Sequence, residues 1–181
     1  GDFQNTTISS GNLTLEQDAI FIADFEDVED IADKSIYANN IDDYTPSVID
    51  QCKYGDQCYK FDGANDYLEA GHYDNSEPYY KDNTELSVCA WYNSSTDYNI
   101  QQLVSLGFYG SSLTWILYEN GDKLRWGSRN GDTAYTYATD TDDAITNRWV
   151  SVCGTKNSTH IGLYVDGVIK ASTSATAGIQ D

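Results

Sequence analysis

The chain of 181 residues contains no methionine, only two prolines and only ten basic residues. Because the first residue is Gly1 and not an initiator methionine, we expect a mature or excised fragment. No apolar run approaches the roughly 20 residues that a membrane-spanning helix needs, and no signal-peptide pattern is present. Direct membrane insertion is therefore not expected.

The ten basic residues are outnumbered by 29 acidic residues, so the formal net charge is −19. Such a surface repels phosphates, which excludes nucleic acid and anionic lipid as expected partners. The aromatic and β-branched content favours a folded chain over a disordered one. Two interpretations of the acidity remain: a calcium-loaded extracellular protein, or a halophilic protein from a high-salt habitat. The even spread of acids along the chain favours the second.

Four cysteines allow three pairings. Cys52 and Cys58 enclose a Gly-Asp turn, whereas Cys89 and Cys153 each lie in the middle of a strand-like run after a valine. We therefore predict the disulfides Cys52–Cys58 and Cys89–Cys153, with free buried thiols as the alternative. Together with the N-glycosylation sequons, the even number of cysteines predicts an extracellular or cell-surface glycoprotein. The sequons are at Asn5, Asn12, Asn93 and Asn157.

The most informative stretch is Trp149–Ile169, WVSVCGTKNSTHIGLYVDGVI, in which two strand-like runs flank a polar turn. The second run ends at Asp166-Gly167, a pair typical of a type I′ hairpin turn with positive φ at both positions. Asn120-Gly121 and Asn130-Gly131 indicate further turns. No stretch has a sustained helical period, and strands recur about every ten residues, as in an all-β sandwich or jelly roll.

The polar residues 1–14 are predicted to form a flexible N-terminal arm or linker. The alternative is an arm that adds as a strand to a neighbouring molecule. Residues 15–181 show no internal repeat and no second boundary, and we expect them to form one antiparallel β-sandwich of two sheets.

Four segments, YKFDGANDYLEA, LSVCAWY, RWVSVCGT and IGLYVDGVI, resemble in this order the concanavalin A-like jelly rolls of the laminin-G and pentraxin type. The resemblance spans about residues 19–174, and the placement of Cys89 and Cys153 is similar to the pentraxin disulfide.

Two departures from the pattern of this group matter. The stretch GFYGSS has no carboxylate where pentraxins bind calcium, so that ligand site is not carried over. Domains of this group also continue past the V-D-G hairpin, so we expect the closing strands to be missing or supplied by another chain.

The resemblance also implies a cofactor, one structural calcium ion near the loop after the first strand and the F-D-G turn. The matching residues are Asp33, Asp62 and Asp66, since calcium prefers carboxylate and carbonyl oxygens. The alternative is a plain turn at Asp62-Gly63 that Asp66 caps.

Glycosidases share this fold, and some carry Glu-x-Asp-x-(x)-Glu on one strand. Asp24, Glu26 and Glu29 have similar spacing but different identities, so we predict no catalytic residues and no enzyme.

A glycan site needs exposed aromatic rings beside polar groups, and the candidates are Tyr109, Tyr135 and Tyr137. Tyr135 and Tyr137 share one face of an alternating strand. The alternative is that most of the tyrosines, like the four tryptophans, pack in or over the sandwich.

We therefore predict a non-catalytic extracellular module for adhesion or glycan recognition within a larger cell-surface protein. Its expected partner is a glycan or a surface protein. The alternative is a structural subunit of a surface filament, S-layer or virion, in which strand exchange through the arm or the open edge joins copies of the chain.

Overall fold

The computed structural model describes residues 41–44, 46–70, 85–95, 100–106, 115–130 and 134–175. These residues form twelve β-strands and no helix, which confirms the all-β prediction. Within them, accordingly, there is no helix long and apolar enough to cross a membrane. The chain divides into two compact units, Gly1–Asp74 and Asn75–Asp181, which are treated separately below. The first predicted strand and residues 1–14 lie outside the described residues.

The described strands of the first unit form two antiparallel pairs. They are β1 (Ile41–Tyr44), β2 (Ser47–Ile49), β3 (Cys58–Lys60) and β4 (Tyr67–Ala70). β1 pairs with β4, and β2 pairs with β3. The link between β2 and β3 contains the disulfide Cys52–Cys58, whose Cα atoms are 5.7 Å apart. Gly55 within this loop has a φ of 68°, a left-handed conformation that suits glycine.

The second unit contains two four-stranded antiparallel sheets among its described residues. Sheet A has the order β12-β11-β10-β5, and sheet B has the order β6-β7-β8-β9. The strands are β5 (Leu86–Tyr92), β6 (Ile100–Leu106), β7 (Trp115–Asn120), β8 (Lys123–Asn130), β9 (Ala134–Thr139), β10 (Val150–Lys156), β11 (His160–Val165) and β12 (Val168–Ser174).

The turn at Asp166-Gly167 is of the predicted kind. Asp166 has a φ of 49° and Gly167 a φ of 77°, so both central residues are left-handed as a type I′ turn requires. Val165 pairs with Val168 directly before and after the turn. The local pair of turn residues therefore sets the register of the strand ends beside the turn, up to a shift in the pairing between Leu163 and Tyr164.

The hairpin predicted at Asn120-Gly121 is also present, but its turn is displaced by one residue. Asn120 pairs with Lys123, so the two turn residues are Gly121 and Asp122. Gly121 has a φ of 65° and holds the first central position, where a type II′ turn takes glycine.

A core fills the space between the two sheets of the second unit, and Trp126 of β8 lies at its centre. Its side chain is fully buried, and its Nε1 donates a hydrogen bond to the carbonyl oxygen of Thr155 on β10 at 2.9 Å. The indole ring lies against Gly154, where any Cβ atom would overlap the ring. The other buried members are Tyr92, Leu117, Leu124, Ala138, Val150, Val152, Ile161, Leu163 and Val165.

Side-chain hydrogen bonds join the edges of the two sheets on both sides of the core. On one side, Thr173 of β12 donates its hydroxyl to the carbonyl oxygen of Tyr137 on β9 at 2.9 Å. On the other side, Gln101 of β6 donates to the hydroxyl of Ser94 at 3.0 Å, and Ser94 follows β5. The expectation of further closing strands concerns residues after Asp181 and stays a prediction.

The second disulfide lies on the outer face of sheet A. Cys89 of β5 and Cys153 of β10 are directly opposite each other in the ladder, with Cα atoms 4.1 Å apart. Because the two disulfides include all four cysteines, both predicted pairs are confirmed and no free thiol remains.

The two disulfides differ tenfold in loop length, with sequence separations of 6 and 64 residues. In the chain-entropy account, Cys89→Ala with Cys153→Ala lowers the free energy of unfolding by about 4 kcal/mol. Cys52→Ala with Cys58→Ala lowers it by about 2 kcal/mol. Guanidinium unfolding of both double variants measures the two losses, and a larger loss for the short loop would contradict the account.

The contact between Gly154 and Trp126 predicts that Gly154→Ala destabilises the protein by about 1–3 kcal/mol through overpacking. Gly162→Ala is the matched control on the neighbouring strand. Its added Cβ would lie 3.0 Å from the hydroxyl of Thr155, a side chain able to shift, so we expect a loss below about 1 kcal/mol. Equal losses in urea unfolding would exclude the proposed packing role of Trp126.

Candidate functional site

The outer face of sheet B carries a group of tyrosines. Side chains alternate between the two faces of a strand, and Leu117, Trp126 and Ala138 of this sheet point into the core. The intervening residues therefore lie on the other face. We name this surface the tyrosine face, and it consists of Ile116, Tyr118, Arg125, Gly127, Tyr135 and Tyr137.

Tyr135 and Tyr137 form a stacked pair on this face. Their ring centroids are 5.5 Å apart with an interplanar angle of 24°. Tyr118 meets Tyr137 edge-on at 6.2 Å and 61°. Tyr118 is buried, whereas Tyr137 is 38% exposed. The ring of Tyr137 therefore faces solvent, and contacts with Tyr118 and Tyr135 hold it in place. The sequence correctly predicted that Tyr135 and Tyr137 share a face, and Tyr109 lies outside the described residues.

Gly127 provides the surface on which Tyr137 rests. The two residues are directly paired between β8 and β9. A Cβ atom at position 127 would lie 2.6 Å from Cε1 of the Tyr137 ring. The ring therefore lies against the backbone of β8, because glycine leaves the space that any side chain would occupy.

Polar groups border the tyrosines on both sides. Gln102 of β6 pairs with Tyr118 in the ladder, and its amide donates to the hydroxyl of Ser105. Arg125 pairs with Tyr118 on one side and with Thr139 on the other. The Nε atom of Arg125 is buried and has no hydrogen-bond acceptor among the described residues. Aromatic rings, an amide and a guanidinium are thus combined on one surface.

A buried polar group lies on the core side of sheet B, around Glu119. Glu119 is fully buried and lies near Tyr92 of the opposite sheet. Burial is the main cause that raises the pKa of Tyr92, and the negative charge of Glu119 raises it further. Asp140 is also buried and accepts a hydrogen bond from the backbone of Asp142 at 2.9 Å.

The outer face of sheet A carries one of the four tryptophans. Trp91 is 40% exposed on the same side of β5 as Cys89, so it lies outside the core of the sandwich. In LSVCAWY, Val88, Ala90 and Tyr92 are the more buried positions. Because side chains alternate between the two faces of a strand, these buried positions place Trp91 on the outer face of sheet A. The sequence therefore contained a signal for the exposure of Trp91.

The predicted calcium ligands are partly described. Oδ1 of Asp62 accepts the backbone N–H of Ala64 at 2.7 Å, which lowers the pKa of Asp62. Oδ2 of Asp66 accepts the backbone N–H of Asp62 at 2.8 Å. These bonds form the capped turn that was the alternative to a metal site. Asp33 lies outside the described residues, within which no group of three acidic, histidine or cysteine side chains fits a metal ion. The calcium site stays a prediction.

Two of the four sequon asparagines, Asn93 and Asn157, are described, and both are exposed. Oδ1 of Asn157 accepts backbone N–H groups from Thr159 and His160 at 2.9 Å and 2.8 Å. Glycosylation stays a prediction. Asn5 and Asn12 lie outside the described residues, as do the acidic residues Asp24, Glu26 and Glu29.

A family model of the laminin G type, described as the concanavalin A-like lectin/glucanases superfamily, matches residues 62–181. Since the match covers more than half of the chain, the protein belongs to this superfamily. The resemblance to laminin-G-like jelly rolls and the predicted fold are confirmed. No curated protein matches the chain.

Solved structures of botulinum neurotoxin binding domains are similar to the chain. The receptor binding domain of botulinum neurotoxin D is 19% identical with a TM-score of 0.68, covering 87% of this chain and 40% of that one. The type G receptor binding domain is 16% identical with a TM-score of 0.66, covering 90% and 40%. The C/D mosaic domain is 19% identical with a TM-score of 0.66, covering 88% and 40%. The chain spans about 40% of these structures, and the likeness shows the fold alone.

The raised pKa of Tyr92 predicts a loss of stability at alkaline pH. Above about pH 10 an unfolded tyrosine releases its proton, whereas buried Tyr92 retains it, so the free energy of unfolding falls as the pH rises. Tyr92→Phe removes this contribution and should lose less stability between pH 8 and pH 10.5 than the wild type. Tyr54→Phe, at an exposed tyrosine, is the control. Identical losses for wild type and Tyr92→Phe in urea unfolding would refute the assignment.

Proposed function

We propose that the protein is a non-catalytic binding module that recognises glycans through the tyrosine face. The observation that supports this best is the stacked pair Tyr135 and Tyr137, with Tyr137 exposed and braced by Tyr118. Binding sites for small molecules combine apolar and aromatic surface with a few placed polar groups. A sugar ring has an apolar face of C–H groups for the aromatic ring and hydroxyls for the polar neighbours.

The rigidity of Tyr137 supports a role in recognition. Its ring rests on Gly127 and contacts two other rings, so little side-chain freedom remains to be lost when a ligand binds. Gln102, Ser105 and Arg125 lie on the same side of sheet B and provide hydrogen-bonding groups beside the ring.

The composition of the face supports binding over hydrolysis. A glycosidase needs two carboxyl groups on either side of the scissile bond. Strands β6 to β9 contain one acidic residue, Glu119, and its side chain is buried in the core. The non-enzymatic assignment thus agrees with the chemistry of the proposed surface.

The two disulfides support a location outside the cytosol, because such bonds persist in oxidising compartments. The similar neurotoxin structures are named as receptor binding domains, and this supports recognition of a cell-surface molecule. Our proposal is an extracellular module for adhesion or glycan recognition within a larger surface protein.

A glycan array probed with the wild type and two aromatic variants tests the proposal. Tyr137→Ala should weaken binding at least about tenfold, equivalent to ~1.4 kcal/mol, because the stacking surface is lost. Trp91→Ala is the matched control, since it removes an equally exposed aromatic ring from the other sheet. We expect Trp91→Ala to bind within about twofold of the wild type, and far-UV circular dichroism checks that both variants fold.

Two results would overturn the proposal. One is a folded wild-type protein that binds no glycan on the array. The other is binding that Trp91→Ala abolishes and Tyr137→Ala leaves intact, which would move the site to sheet A.

A further inference from the structure

The charge on sheet B is opposite to that of the chain as a whole. The chain has 29 acidic and ten basic residues. Strands β6 to β9 contain only one acid, Glu119, which is fully buried on the core side. Strand β8 alone contains three bases, Lys123, Arg125 and Arg129. The tyrosine face is therefore a surface without acidic residues on a strongly acidic protein.

The bases of β8 differ in how the protein uses them. Lys123, at the start of the strand, is paired with Asp143 at 2.7 Å and Asp122 at 3.6 Å. Arg125 has no ion pair with the described residues, and its Nε is buried without an acceptor. Burial of Nε fixes the plane of the guanidinium, whereas Arg125 as a whole is only half-buried, so its terminal nitrogens are the donors for an acceptor from a ligand.

Arg125 lies close to the exposed ring of the site. Arg125 pairs with Thr139, and Gly127 pairs with Tyr137, so Arg125 and Tyr137 are diagonal neighbours across β8 and β9. Such neighbours are about 7–8 Å apart, a distance that one sugar ring with its substituent spans. A guanidinium presents donors in a planar fork that matches the two oxygens of a carboxylate.

We infer that the tyrosine face binds an acidic saccharide, with its ring stacked on Tyr137 and its carboxylate accepting hydrogen bonds from Arg125. This inference rests on the proposed glycan-binding function and specifies the class of glycan. The strands of sheet A also contain no acidic residue, so the absence of acids permits such a ligand on either sheet, and the pairing of Tyr137 with Arg125 assigns it to sheet B.

Matched pairs of charged and neutral glycans test the inference. The probes are trigalacturonate with its full methyl ester, and sialyllactose with lactose, measured by isothermal titration calorimetry. The wild type should bind the charged member of at least one pair about tenfold or more tightly than its neutral partner. Arg125→Gln should reduce this preference to within about twofold, because it removes the cation that pairs with the carboxylate. Lys123→Gln, a control on the same strand, should keep the preference.

The outcomes separate this inference from the proposed function. Binding of neutral glycans that depends on Tyr137, with no preference for the acidic probes, overturns the inference and leaves the proposed function standing. A preference for acidic probes that survives in Arg125→Gln overturns the role of Arg125. A preference confined to sulfated array glycans overturns the carboxylate assignment, and no binding to any glycan overturns both proposals.

Discussion

The contact between Trp126 and Gly154 is the interaction on which the second unit depends. One indole ring reaches from sheet B to the backbone of sheet A, and its N–H satisfies the carbonyl of Thr155 there. The approach is possible because position 154 has no side chain. A tryptophan side chain buries more apolar area than most other side chains, so this contact contributes strongly to stability. Because the ring touches the backbone at Gly154, the contact also fixes the spacing between the two sheets and brings β8 opposite β10.

The position of Trp126 also determines the opposite surface of sheet B. Alternation along β8 sends Leu124 and Trp126 into the core, so Arg125 and Gly127 must face outward. Because neighbouring residues of a strand face opposite sides, the placement of the core residues of β8 also determines which residues border Tyr137. A one-residue slip of β8 would bury Arg125 and expose the indole, which strongly specifies the register.

Local signals in the sequence predicted the fold well. Asp166-Gly167 determines its own turn, and the mid-strand positions of Cys89 and Cys153 predicted their partnership. The tyrosine pair followed from alternation within β9. The arrangement around that pair did not, because the fit of Tyr137 on Gly127 depends on the register between two strands. Arg125 was missed for the same reason, since its neighbours are set by pairing and not by sequence distance.

The bond from Thr173 to the carbonyl of Tyr137 gives the proposed site a mechanical connection. Tyr137 belongs to sheet B, but this hydrogen bond fastens its backbone to β12, the last described strand of sheet A. A displacement of β12 is therefore passed to the backbone of the same residue that presents the exposed ring.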